Sequence, residues 1–498
     1  MRPIHLVPAG VVLLALGGIA AGAQFAGPAA PAASAASAAS AASAAGHAAM
    51  APQQVAVTSA ARACPPVQGG GSGQVAFIAG SPAASSSRPG EGQAELAPLP
   101  LAGAQLRTLN PISQTQPGVL SMLTTPPAQS TSKKATTVLQ GWSVTATGTM
   151  AETMEAEETT GTGLASVRCG EPGSDLWFVG PGQQGGAAQI QLDLMNVDTL
   201  PASVDVAIIT DAGQVQADGD TGITVPPHQT VTEALSSLAG NASVVAIEVR
   251  TSIGRVAADV SETSSHGGTA SWLPSTAPPS TRLVIPGVPP SGGTAGLYIV
   301  VPGSADARIN VVSITPQGQH RPFGTQAVDL PGDSASYVPL TALGGTAALE
   351  LTANVPVAAG VLVPGSGLGA FATATAPISE QAVVAGNTTG ATVVLSAPAA
   401  QARVRLTEIT ATPGTTSTQI VTVQSGHTLT VPATLPKGAK HGSAFAIVIT
   451  PLAGSGPLYA ARVATQGQNT VVSIVPAISA LTTIILPPAR DSYDAISP

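Results

Sequence analysis

The chain of 498 residues predicts an all-β fold of tandem immunoglobulin-like β-sandwiches behind an N-terminal transmembrane or signal helix, and three observations lead there. Apolar residues recur at every second position over stretches of six to ten residues, the period of a strand with one buried face. Glycine and proline, 55 and 44 residues, punctuate these stretches, and no window of ten or more shows a helical period. A set of strand signatures also returns roughly every hundred residues, the size of one sandwich. Halving that period gives segments of blade length, so a β-propeller is the alternative architecture.

Residues 1–26 read as a signal anchor or signal peptide. Arg2 precedes the run Ile4 to Phe25, which carries no ionised side chain and is long enough to span a bilayer. Positive charge stays inside, so this order places the rest of the chain outside the cytoplasmic membrane. Ala21-Gly22-Ala23 has the small-x-small form of a cleavage site, and cleavage after Ala23 makes the product secreted instead of anchored. Residues 27–63 are an Ala/Ser repeat with proline near both ends, a linker with little to bury.

Four β domains follow, at 64–170, 171–275, 276–385 and 386–498. Ile190, Leu192 and Leu194 alternate with Gln189, Gln191 and Asp193, and Val204, Val206 and Ile208 with Ser203, Asp205 and Ala207. The repeat is seen where Val245 to Arg250 matches Ala347 to Thr352, and where Arg255 to Ala258 matches Pro356 to Ala359. A further copy reads FAIVIT from Phe445 and LYAARV from Leu458. Such units, joined by Gly/Pro/Ser turns, are expected to extend as a stiff rod.

Charged residues are only 9% of the chain and the net charge is −8, which leaves no basic footprint for nucleic acid. The two cysteines, Cys64 and Cys169, bracket the first domain, and in an exported chain they are expected to form a structural disulfide.

Several motifs invite chemistry and fail on context. Gly180 to Gly185 satisfies GxGxxG after a strand, but another strand follows in place of the helix that a dinucleotide needs, so the segment reads as a hairpin-type loop. His5, His47, His228, His266, His320, His427 and His441 have no second ligand at metal spacing. Ser366 lacks the glycines of a nucleophile elbow. Glu152, Glu155, Glu157 and Glu158 form the densest charge cluster, with Asp211, Asp218 and Asp220 as a second acidic loop; both read as solvated turns. Trp177 sits among apolar neighbours and reads as core, and with Trp142 and Trp272 it makes too thin a set for a carbohydrate platform. No catalytic residue, metal site or cofactor is assigned.

The set of motifs VRCGEPGSDLWFVGPG, NVDTLPASVDVAI, GRVAADV, SWLP and VIPGVP resembles an uncharacterised actinobacterial family of secreted or membrane-anchored proteins, defined as a domain of unknown function. The resemblance is clearest between Cys169 and Val363, and implies an exported envelope protein of repeated β domains. The expectation is a non-enzymatic protein of the cell envelope, held by its N-terminal helix and contacting an envelope protein or polysaccharide. The alternative is a secreted, glycosidase-like hydrolase with loop carboxylates dispersed over the repeats.

Overall fold

The computed structural model describes residues 53–486 apart from 67–72, 81–91, 104–110, 126–139, 161–164, 216–220, 236–239, 265–270, 291–293, 323, 366–368, 389 and 467–469. The N-terminal apolar run, residues 27–52 of the Ala/Ser segment, His5, His47, His266, Asp218, Asp220 and Ser366 lie outside these residues; the segment's last residues, read as linker, lie instead in the strands Gln53–Ala56 and Ser59–Cys64. Among the described residues the fold is all-β, with one 3-10 turn at Gly148–Met150 and no α-helix.

The strands build four two-sheet sandwiches. In the second, Asp175–Pro181, Val244–Ile253, Ala202–Thr210 and Gly213–Val215 lie side by side, with Ile223–Val225 also on Ala202–Thr210. The facing sheet runs Gln229–Ala234, Ala187–Asn196, Ala257–Ser264, Ser271–Leu273. Between them sit Phe178, Leu192, Leu194, Ile208, Ile247 and Val260, all buried.

The first sandwich has the same plan. One sheet is Ser59–Cys64, Gln140–Thr147, Ala94–Pro100 and Ile112–Gln114; the other is Val119–Thr125, Gly73–Ala79, Glu155–Thr160 and Ala165–Arg168. The fourth repeats it with Phe445–Pro451 and Tyr459–Gln466 as the central strands that follow each other in sequence. In the third, the 17-residue strand Ala347–Val363 serves both sheets. Its first half pairs with Ser280–Val288 and Ala307–Thr315, its second with Ala295–Val301 and Ala370–Thr373. Pro356 sits at the change of partners, where a missing N–H interrupts no ladder.

The GxGxxG segment is not a hairpin. Asp175–Pro181 and Ala187–Asn196 belong to opposite sheets, so the loop between them carries the chain from one layer to the other. Its glycines serve close approach: a Cβ on Gly182 would lie 2.4 Å from the carbonyl oxygen of Ala242.

The sandwiches do not extend as a rod. Ala63 and Leu99 of the first pack on Met195, Val197 and Ala257 of the second. Trp177, Val179 and Ala246 of the second pack on Tyr298, Val300 and Ala358 of the third. Val284, Ile314 and Ala348 of the third meet Tyr459 of the fourth. Ala76, Ile78 and Leu120 of the first then meet Val383, Ala385, Ala446 and Val448 of the fourth, closing the cycle.

The reason lies in strands that are apolar on both faces. In Val244–Ile253 the first six residues are all buried, the even positions against the third sandwich and the odd ones inside their own. Strands such as Ala202–Thr210 keep the expected alternation of buried and half-buried residues over most of their length. The described ends of the chain are joined by an antiparallel pair, Gln53–Ala56 with Thr483–Leu486.

Candidate functional site

The junction of the first and second sandwiches combines a disulfide, a cluster of ion pairs and a cleft. Cys64 and Cys169 are bonded, tying the end of one strand to the residue after another. Both are fully buried, and Gly170 beside them exchanges backbone hydrogen bonds with Ala63 at 2.9 and 2.8 Å.

Around this staple the four-glutamate cluster departs from the solvated turn read from the sequence. Glu155, Glu157 and Glu158 are at most 1% exposed, because they lie on a central strand of the first sandwich with both faces covered. Glu152 alone stays in the preceding turn and is partly exposed. Glu155 accepts from Arg168 at 2.6 and 3.0 Å, and Arg62 approaches it at 3.6 Å while its other end reaches Glu171 at 3.4 Å. Glu157 is bound by Arg462 of the fourth sandwich at 2.5 Å and by the Gly386 N–H at 3.0 Å.

Glu158 has neither carboxylate oxygen hydrogen-bonded and is 0% exposed. Burial raises its pKa well above the usual carboxylate range, and the nearby Asp259 and Asp193 charges add to the rise. Asp259 is raised by burial and by Asp193, against the opposing Arg168 charge and the Gly170 N–H. Glu262, also fully buried with two unpartnered oxygens, is raised by burial. Glu158 and Glu262 hold matching places in successive repeats, opposite Val75 of Gly73–Ala79 and Ile190 of Ala187–Asn196.

On the solvent side of this junction opens a cleft of about 300 Å³. Its floor includes Arg62, Ala146 and Met154; its rim carries Glu171, Asp198, Arg255, Leu481 and Ile484. Asp198 and Arg255 form a two-pronged pair at 2.8 and 3.0 Å, and the hydrogen bond from Arg255 draws the Asp198 carboxyl below its ordinary range. The aspartate is aimed by an Asx turn: its N–H donates to Asn196 Oδ1 at 2.9 Å, while the buried Asn196 amide donates to the carbonyls of Leu200 and Val225. Two residues beyond Asp198 and two before Arg255 stand Leu200 and Ile253, 73% and 66% exposed.

The remaining sequence candidates scatter. His228, His320, His427 and His441 lie on different turns and strand ends, and Asp211 caps the Ser243 N–H at 3.0 Å. Trp177 is buried as expected, but at the second–third junction and not in a sandwich core. There it lines a second cleft, of about 460 Å³, with Asp175, Arg250 and three prolines. Among the described residues no three His, Cys, Asp or Glu side chains are grouped to hold a metal ion, and no helix is long and apolar enough to cross a membrane.

Arg62, Asp198 and Arg255 line the cleft and were not singled out from the sequence. Asp198 and Arg255 are 57 residues apart, beyond any local spacing rule. The signal present was their place in or beside the segments NVDTLP and GRVAADV.

No curated protein matches the chain. A family of unknown function, DUF5719, matches residues 127–434, from the first sandwich into the fourth and over more than half of the length; the chain belongs to that family.

Proposed function

We propose that this is an exported protein of the cell envelope, anchored through the Ile4 to Phe25 run, whose sandwiches bind a partner and carry no catalysis. The cleft of the first–second junction carries this reading. It sets half-covered Leu481 and Ile484 beside the Asp198–Arg255 pair, and exposed Leu200 and Ile253 stand two residues from that pair along the chain, an apolar surface with a charged centre of the kind used for docking. The charged groups there are tied to each other: Asp198 to Arg255, Glu155 to Arg168, Arg62 to Glu155 and Glu171. A general acid or base needs a freer group within reach of a substrate. The Cys64–Cys169 bond supports an oxidising compartment.

The test is a photo-crosslinking amino acid at Leu200 or Ile253 of the full-length chain in producing cells. Adducts to an envelope component, reduced by Arg255→Ala, are expected. A folded chain that gives no adduct from either position overturns the binding reading. Protection of the whole chain from protease added to spheroplasts overturns export.

A further inference from the structure

One sheet of the fourth sandwich ends on Thr416–Val423, which pairs with Ala402–Thr410 on one side and, among the described residues, with no strand on the other. Its eight residues run in register without a bulge, from Ile409 opposite Thr416 to Ala402 opposite Val423. The strand is held firmly from its inner face. Val423 belongs to the core and Val421 packs on it. Ser417 and Gln419 donate to the buried Glu408 at 2.6 and 3.2 Å. On the opposite face Thr416, Thr418, Ile420 and Thr422 are exposed, Ile420 by 53%.

Among the described residues the other three sandwiches have no such edge. At the same place in the second stand two three-residue pieces, Gly213–Val215 and Ile223–Val225, and in the third Gly318–His320 and Val328–Leu330. Between the two pieces a side chain of the neighbouring strand caps a turn instead: Asp205 accepts from the Gly222 N–H at 2.8 Å, and Asn310 from the Ala327 N–H at 3.2 Å. In the first sandwich the three residues Ile112–Gln114 lie there. Natural sheets blunt their edges by shortening them, or with lysine, proline or a bulge, because a row of unpaired N–H and C=O groups templates another strand. Thr416–Val423 has none of these devices. It carries no ionisable side chain and no proline, and six of its eight residues are β-branched.

We propose that Thr416–Val423 is the contact of a homodimer, in which two copies of the chain pair this edge antiparallel about a two-fold axis and join two four-stranded sheets into one of eight. The register that covers the exposed apolar side chain sets Ile420 opposite its own copy, and therefore Thr418 opposite Thr422. Charge fits this occupant. In a two-fold pair the strand meets itself, so any ionisable residue would bring its like close by, and this strand has none. Arg405 and Arg403, opposite Ile420 and Thr422, stand on the next strand in. In the dimer that strand and its copy are three spacings apart, about 14 Å, beyond the screening length of physiological salt. The pairing is separate from the cleft of the first–second junction and does not depend on what binds there.

The experiment is cysteine crosslinking of the full chain purified in detergent, with copper phenanthroline as oxidant so that the result does not depend on export. Cys64 and Cys169 are bonded to each other, which leaves an introduced cysteine as the reactive thiol. Residues opposite each other in an antiparallel pair have Cα atoms about 4.5–5.5 Å apart, within the span of a disulfide. Ile420→Cys is therefore expected to give a covalent dimer on a non-reducing gel, returned to monomer by reductant. Tyr337→Cys, at an exposed position of the third sandwich, should stay monomeric. Adding Thr418→Lys and Thr422→Lys to Ile420→Cys sets like charges opposite each other and should abolish the dimer. All these positions are exposed, so the fold does not rest on them. No dimer from Ile420→Cys, an equal yield from Tyr337→Cys, or a dimer that survives the two lysines each overturns the proposal.

Discussion

Arg462 and Glu157 illustrate how single residues hold the cycle shut. They belong to the fourth and first sandwiches, both side chains are buried, and 2.5 Å separates their charged ends. Arg462 also donates to the Gly386 carbonyl at 2.7 Å, whose own N–H donates to Glu157. Removing one member strands the other without water, so Arg462→Met is expected to cost about 3–5 kcal/mol, read as a lower urea midpoint. The double variant Arg462→Met with Glu157→Gln should recover part of that loss, because no buried charge is left alone. An unchanged midpoint in the single variant would show the pair to be dispensable. The pair was half legible: a lone arginine in LYAARV and acids in EAEETT stand out against apolar strands, but a partner 305 residues away carries no spacing signal. The solvated-turn reading failed because it treated charge density as exposure, whereas three arginine and two glutamate side chains here pair with one another in the interior.

At the scale of elements, periodicity revealed most of what one strand can reveal. Ala202–Thr210 alternates as read, and the FAIVIT and LYAARV segments are strands in the places that the repeat assigns them. What alternation could not reveal was which sheet a strand joins. The loop after Asp175–Pro181 looks like a hairpin because turns within and between sheets share the same glycine and proline chemistry. The disulfide is the element-scale feature with the firmest expectation. It closes a loop of 105 residues, and Cys64→Ser with Cys169→Ser should destabilise the first sandwich by about 4–5 kcal/mol on the chain-entropy account. Denaturant unfolding with and without reductant checks this, and exchange should rise first in 73–79 and 155–160, inside the stapled sandwich. Equal loosening of all four sandwiches would contradict a local staple.

For the whole molecule, the decisive contact is the one between the first sandwich and the fourth, since without it the repeats are a linear string. That contact is apolar and aliphatic: Ala76, Ile78 and Leu120 against Val383, Ala385, Ala446 and Val448. The Gln381 amide adds a hydrogen bond to Thr153, and the paired strands Gln53–Ala56 and Thr483–Leu486 are fastened by Glu380, which accepts from Thr482 and Thr483. Burial opposes ionisation of Glu380, yet these donors outweigh it and hold the carboxyl below its usual range. A glutamate in place of Ala446, 0% exposed, must place a charge between the two sandwiches with no cation in that apolar cluster. Ala446 points away from its own sandwich's core, which is lined by Phe445, Ile447 and Ile449, so Ala446→Glu should separate the first and fourth sandwiches while leaving each folded. A compact body of the described size has a radius of gyration of about 22 Å, and the variant should exceed the wild type in small-angle scattering with an unchanged β signal in circular dichroism. Equal radii for the two proteins would mean that the remaining contacts close the cycle without this one.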